Sequence, residues 1–113
     1  MANLPNCIPC DTASWQIEGT EYTISGHSRS GERTGFCLNT QGIFFDAGMY
    51  SSTTPKFVFL THSHTDHAFA LPMMTISLRT PAIVYAPNEA VQFLQLHDQI
   101  TNQMNLCSTK IPV

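Results

Sequence analysis

Phe57-Val58-Phe59-Leu60-Thr61-His62-Ser63-His64-Thr65-Asp66-His67 places four metal-ligand side chains in six residues, directly behind an apolar strand. His62 and His64 are two residues apart, so in extended backbone their imidazoles leave the same side. Asp66 and His67 follow where the chain can turn, offering a second ion an oxygen and a nitrogen. Three of the five histidines of the chain fall in this run, interleaved with an aspartate, and chance clustering of surface histidines is the poorer account of that order. The pattern points to a dinuclear metal site, with His62 and His64 serving one metal and Asp66 and His67 the other. A divalent ion such as zinc lowers the pKa of bound water from about 16 toward 7, and two ions can clamp the attacking and leaving oxygens of a phosphodiester. Asp66 lies close enough to such a nucleophile to orient it or shuttle its proton, which makes it the candidate catalytic residue.

Outward from the motif, residues 56–60 carry Phe57, Val58, Phe59 and Leu60 without polar alternation, which predicts a strand buried on both faces. The histidines then stand at its carboxyl end, the usual place for ligands in layered α/β folds. Phe36-Cys37-Leu38 and Ile43-Phe44-Phe45 flank Asn39-Thr40-Gln41-Gly42 and predict a β-hairpin. Residues 14–17 and 21–25 are earlier strand candidates, and residues 26–35, polar with three glycines, predict a loop. Residues 1–14 read as an irregular leader, with Pro5 and Pro9 opposing regular structure. Downstream, residues 68–78 predict a short helix interrupted at Pro72, and residues 81–87 a strand bounded by prolines. Asn88 then caps a helix from Glu89 to about Gln103. The order, strands first and then alternating helix and strand, gives the fold class α/β, with residues 15–113 forming the domain.

At 113 residues and 42% hydrophobic, the chain has apolar material for one modest core. Five basic and eight acidic residues leave a formal charge of −3, so no basic field advertises nucleic acid or an anionic membrane. An RNA-directed enzyme of this composition can carry its basic surface on a separate arm or on parts of the chain beyond these residues. The first residues lack a basic and an apolar signal region, and no stretch approaches the ~18 apolar residues of a membrane span. The expectation is a soluble, unsecreted protein of cytoplasm or nucleus with Cys7, Cys10, Cys37 and Cys107 reduced. Cys7-Ile8-Pro9-Cys10 has the spacing of half a zinc knuckle or a redox pair, but the sequence supplies neither two further ligands nor a strand-to-helix context. Incidental thiols are the plainer reading.

HxHxDH, here His62, His64, Asp66 and His67, resembles the metal motif of the metallo-β-lactamase superfamily of hydrolases, and Asp46-Ala47-Gly48 resembles the acidic strand end that precedes it. Ala70-Leu71-Pro72 is close to the Gly-Leu-Pro of the ribonuclease Z branch, and Ile83-Val84-Tyr85-Ala86-Pro87 is similar to its Ile-Tyr-Gly-Pro segment; both glycines are alanine here. The resemblance covers residues 20–105 and implies the amino-terminal half of an αββα sandwich. It implies a zinc-dependent endoribonuclease that removes the 3′ trailer of precursor tRNA, using two zinc ions per complete site, with manganese or iron as alternatives. Thioester and small-phosphodiester hydrolases of the same superfamily remain alternatives, as does an inactive truncated isoform acting by association with a full-length chain or as a homodimer. In the family a third histidine for the first metal, a bridging aspartate and a last histidine come from the later half, so this sequence supplies two ligands for each metal. An incomplete sandwich would expose one face of its sheet.

Asp46, at a strand end beside the motif, reads as an acid that hydrogen-bonds ligands or loop backbone rather than binding metal itself. His27, Arg29 and Arg33 lie in the polar stretch, where arginines can meet phosphates, although no phosphate-cradling glycine pattern accompanies them. Trp15, Tyr22 and Tyr85 can stack bases but read first as core aromatics. His97 reads as an ordinary helix residue.

Overall fold

The computed structural model describes residues 7–8, 13–38, 41–51, 53–75 and 81–107. The strands are β1 (Cys7–Ile8), β2 (Ala13–Gln16), β3 (Thr23–Arg29), β4 (Arg33–Leu38), β5 (Ile43–Phe45), β6 (Tyr50–Ser51), β7 (Phe57–Phe59) and β8 (Ile83–Tyr85). The helices are α1 (Thr65–Ala68), α2 (Leu71–Thr75) and α3 (Asn88–Cys107). Six strands form one sheet in the order β2-β3-β4-β5-β7-β8, and β1 pairs with β6 separately. β2 to β5 run antiparallel, whereas β5, β7 and β8 run parallel. The parallel pair β7 and β8 needs a crossover, which α1 and α2 supply. The fold is mixed α/β, one sheet with a helical layer, the composition of part of an α/β sandwich.

The registers explain which side chains meet the helices. Phe44, Val58 and Val84 stand opposite one another in three neighbouring strands, and Cys37 pairs with Phe44 from β4. Cys37, Phe44 and Val58 join Ala47, Leu60, Ala70, Leu71 and Met74 in the core, against which Ala86 and Leu94 pack. Period two sends Ile43, Phe45, Phe57, Phe59, Ile83 and Tyr85 to the other face. Phe59 stacks on Tyr85 at 5.1 Å and on Phe45 at 5.9 Å, and Trp15 meets Phe36 at 6.4 Å. This face is open, as an incomplete sandwich leads one to expect.

The expectation that β7 is buried on both faces is therefore corrected: Val58 is 0% exposed, but Phe57 and Phe59 are 36% and 39% exposed. The same geometry places Trp15 and Tyr85 outside the core, while Tyr22 is half-buried. The hairpin of β4 and β5 forms in the register Phe36 to Phe45; Asn39 and Thr40 of its turn lie outside the described residues. The predicted loop over residues 26–35 is instead two strands joined by a tight turn. Gly26 has φ +150° and lies so close to β4 that a Cβ would collide with the Gly35 carbonyl and the Phe36 backbone. Glycine here permits close approach of two strands rather than breaking one.

The leader is partly structured, since Cys7–Ile8 pairs with Ser51 and Tyr50 and β2 begins at Ala13; Pro5, Pro9 and Cys10 lie outside the described residues. The helix expected over residues 68–78 is two short helices. The first starts earlier, at Thr65, and Pro72 sits in the opening turn of the second, where its missing N–H costs nothing. Residues 76–80 lie outside the described residues. α3 runs four residues beyond its predicted end, and Ala90 N–H closes its first turn on the Pro87 carbonyl at 2.9 Å. Among the described residues no helix is long and apolar enough to cross a membrane.

Candidate metal centre

β5 leaves the sheet at Asp46, which takes φ +64°, a left-handed conformation that costs a non-glycine residue on the order of 1 kcal/mol. Its amide still donates to the Phe59 carbonyl at 2.8 Å, so the chain turns at this residue while remaining tied to β7. The turn lays the Asp46 carboxylate across the carboxyl end of β7. Oδ1 accepts Thr61 N–H at 2.8 Å, both oxygens lie 3.1 Å from Thr61 Oγ1, and Oδ2 lies 2.9 Å from His67 Nδ1. The side chain is 8% exposed, and these partners satisfy a charge that burial would otherwise penalise.

Ala47 and Gly48 clamp α1 onto the same corner. Ala47 N–H donates to the His67 carbonyl at 2.6 Å, and the Ala47 carbonyl accepts Ala70 N–H at 2.9 Å. Gly48 N–H donates to the Thr34 carbonyl at 2.8 Å. A Cβ on Gly48 would collide with the Asp66 carbonyl and with the Thr34 backbone, so any larger residue pushes α1 away. The acidic strand end thus positions the single helical turn that carries Asp66 and His67.

Hydrogen bonding fixes two of the imidazoles. The one proton of Thr61 Oγ1 goes to Asp46, because a carboxylate only accepts. His62 Nδ1, 2.8 Å from the same oxygen, is then the donor of that contact, and in the neutral ring its Nε2 holds the lone pair. His67 Nδ1–H donates to Asp46 in the same way, again leaving the lone pair on Nε2. His64 stands at the N-cap of α1 without using its side chain to cap. The His62 ring lies 4.5 Å from that of His64 and 4.2 Å from that of His67, so the three imidazoles form one cluster.

The geometry suits a cation. His67 Nε2 and Asp66 Oδ2 face each other at 3.4 Å; in the neutral ring both are acceptors. Two ligands on a tetrahedral ion at ~2.0–2.1 Å stand about 3.3 Å apart, so this pair fits one divalent ion. The carboxylate behind the histidine is the support that a metal-bound imidazole ordinarily has. Among the described residues no three His, Cys, Asp or Glu side chains converge as ligands of a single ion.

Two neighbours were not legible in the sequence. Gly31 N–H, in the turn joining β3 to β4, donates to Asp66 Oδ2 at 3.3 Å, bringing that turn to the site. Arg29 and Arg33 flank it on strands rather than in a loop; Arg29 pairs with Glu32 at 3.3 Å, and His27 is half-buried on β3. His97 of α3 shares a cleft of about 260 Å³ with Ser63, Thr65, Phe69 and Phe93, so it faces the back of the motif. The only sequence signal for that approach is the helix periodicity that turns Leu94 inward and carries His97 to the adjoining face.

No family model matches the sequence. The chain is 31% identical over 107 residues to a chloroplastic tRNase Z of Arabidopsis thaliana, the match covering 86% of this chain and 30% of that protein. It therefore spans about a third of the length of that relative, and the relationship is a distant one.

Proposed function

We propose that this chain carries part of the active site of a zinc-dependent phosphodiesterase, an endoribonuclease that removes the 3′ trailer of precursor tRNA. The observation that carries the reading is the pairing of Asp66 Oδ2 with His67 Nε2 at 3.4 Å, with His67 held from behind by Asp46. Likeness to a protein named tRNase Z supports the choice of tRNA. When bound, divalent metal supplies an acidified water and positive charge against the phosphate. His62 and His64 would hold one ion, and Asp66 and His67 would hold the other. Asp46 keeps the His67 ring in the tautomer that presents Nε2, and Thr61 does the same for His62. Among the described residues the contacts of Asp66 engage Oδ2, which leaves Oδ1 to orient a water or take its proton.

The test is cleavage of precursor tRNA bearing a 3′ trailer, with zinc or manganese added, by a protein that joins these residues to the later half of the family fold, and by its Asp66→Asn variant. A thioester and a small phosphodiester are run beside it. Trailer removal that requires metal and is lost in the variant is the expected result. Thioester hydrolysis without RNA cleavage, or no hydrolysis of any substrate, would count against the proposal.

A further inference from the structure

The two halves of the candidate centre are not built alike. Asp66 and His67 are each held from behind: His67 Nδ1 lies 2.9 Å from Asp46 Oδ2, and Gly31 N–H donates to Asp66 Oδ2 at 3.3 Å. Both side chains are half-buried, and their facing atoms already stand 3.4 Å apart. His62 has a weaker support, the uncharged Thr61 hydroxyl at 2.8 Å. His64 has none. It is exposed, its side chain does not cap α1, and among the described residues its ring makes no hydrogen bond; the ring contact it has is with His62, edge-on at 4.5 Å.

Charge divides the halves in the same sense. Asp66 offers a carboxylate and a second carboxylate, Asp46, backs its partner, whereas His62 and His64 offer two neutral imidazoles. A half-buried carboxylate attracts a divalent cation with less screening than one in open water. Side chains already held in place lose less freedom when they bind, and an outer partner of a ligand is worth about 10–100-fold in metal affinity.

We infer that the centre loads in order, Asp66 and His67 taking the first divalent ion and His62 with His64 the second. The inference rests on the metal-binding reading of the motif and adds an inequality between its halves. Two divalent ions at the ~3.5–4 Å of a dinuclear site repel one another, so filling one half weakens the other and widens the interval. At limiting metal the chain holds a single ion, on the side of Asp46.

A zinc titration of the 113-residue chain, followed through the histidine side chains by long-range proton–nitrogen NMR, tests the order in the wild type and in Asp66→Asn. The His62 ring lies beside both of the others, so His67 and His64 are the diagnostic pair. In the wild type His67 is expected to reach its midpoint at a free zinc concentration at least ~10-fold below that of His64. Asp66→Asn keeps the shape and removes the charge, and should raise the His67 midpoint by ~10-fold or more without raising that of His64. Shifts of His64 before His67, or of both together, in the wild type would overturn the order and leave the metal-binding reading standing. An interval that Asp66→Asn leaves unchanged would overturn it too, because the carboxylate would then not be its cause. No shift at any histidine up to millimolar zinc would overturn the metal-binding reading, and the order with it.

Discussion

Asp46 is the residue on which the candidate centre turns. It occupies a strained backbone position and joins β5, β7 and α1 through one carboxylate. Asp46→Asn keeps a residue type that tolerates positive φ but puts a donor where one acceptor oxygen stood. The fold should survive, and zinc affinity should fall by about 10–100-fold in competition with a zinc-binding dye; unchanged affinity would mean that the carboxylate does not set the His67 ring. Asp46→Ala also leaves Thr61 N–H without its acceptor, and should lower unfolding free energy by about 1–3 kcal/mol in urea titration. The sequence shows an acid at a strand end beside the motif. That the acid touches His67, twenty-one positions away, is not legible there, because the contact depends on α1 folding back over the end of β7.

The element scale explains which parts of the fold were legible. β4, β5, β7 and β8 carry apolar runs punctuated by glycine or proline, and their local pattern agrees with their tertiary role. β3 is different, because Gly26 reads as a breaker when its partner strand is unseen. Its function is close approach, a property of two strands together. Gly48 belongs to the same class. Gly48→Ala should destabilise the fold by about 1–3 kcal/mol through overpacking and weaken zinc binding as well, since α1 must shift. Thermal melts with the dye titration check this, and loss of stability with zinc affinity intact would separate the clamp from the site. Val58→Ala removes buried methyl groups between Phe44 and Val84, and should cost about 2 kcal/mol without changing zinc affinity.

At the scale of the whole molecule, one sheet face is covered by helices and the other exposes Phe45, Phe57, Phe59, Ile83 and Tyr85. An apolar patch of that kind binds hydrophobic dyes and promotes association. The chain should therefore enhance anilinonaphthalene sulfonate fluorescence in its folded state, and Phe59→Thr/Tyr85→Thr should remove most of the enhancement; an undiminished signal would place the dye elsewhere. The open face and the metal motif have a common origin in β7, whose alternate residues point to opposite sides while its carboxyl end delivers His62. That strand was legible as apolar. Which of its two faces is covered was not, because the answer depends on what packs over β5 and β8.

The central claim is that His62, His64 and His67 present ring nitrogens, with Asp66, to divalent metal. The most direct measurement is a long-range proton–nitrogen NMR spectrum of the histidine side chains, recorded during a zinc titration of the 113-residue chain. It reports coordination nitrogen by nitrogen, even when affinity is low. Nε2 of His62 and His67 and a ring nitrogen of His64 are expected to shift on binding, Nδ1 of His62 and His67 to stay protonated, and His27 and His97 to be unaffected. Absence of shifts at millimolar zinc, or equal shifts at all five histidines, would contradict it.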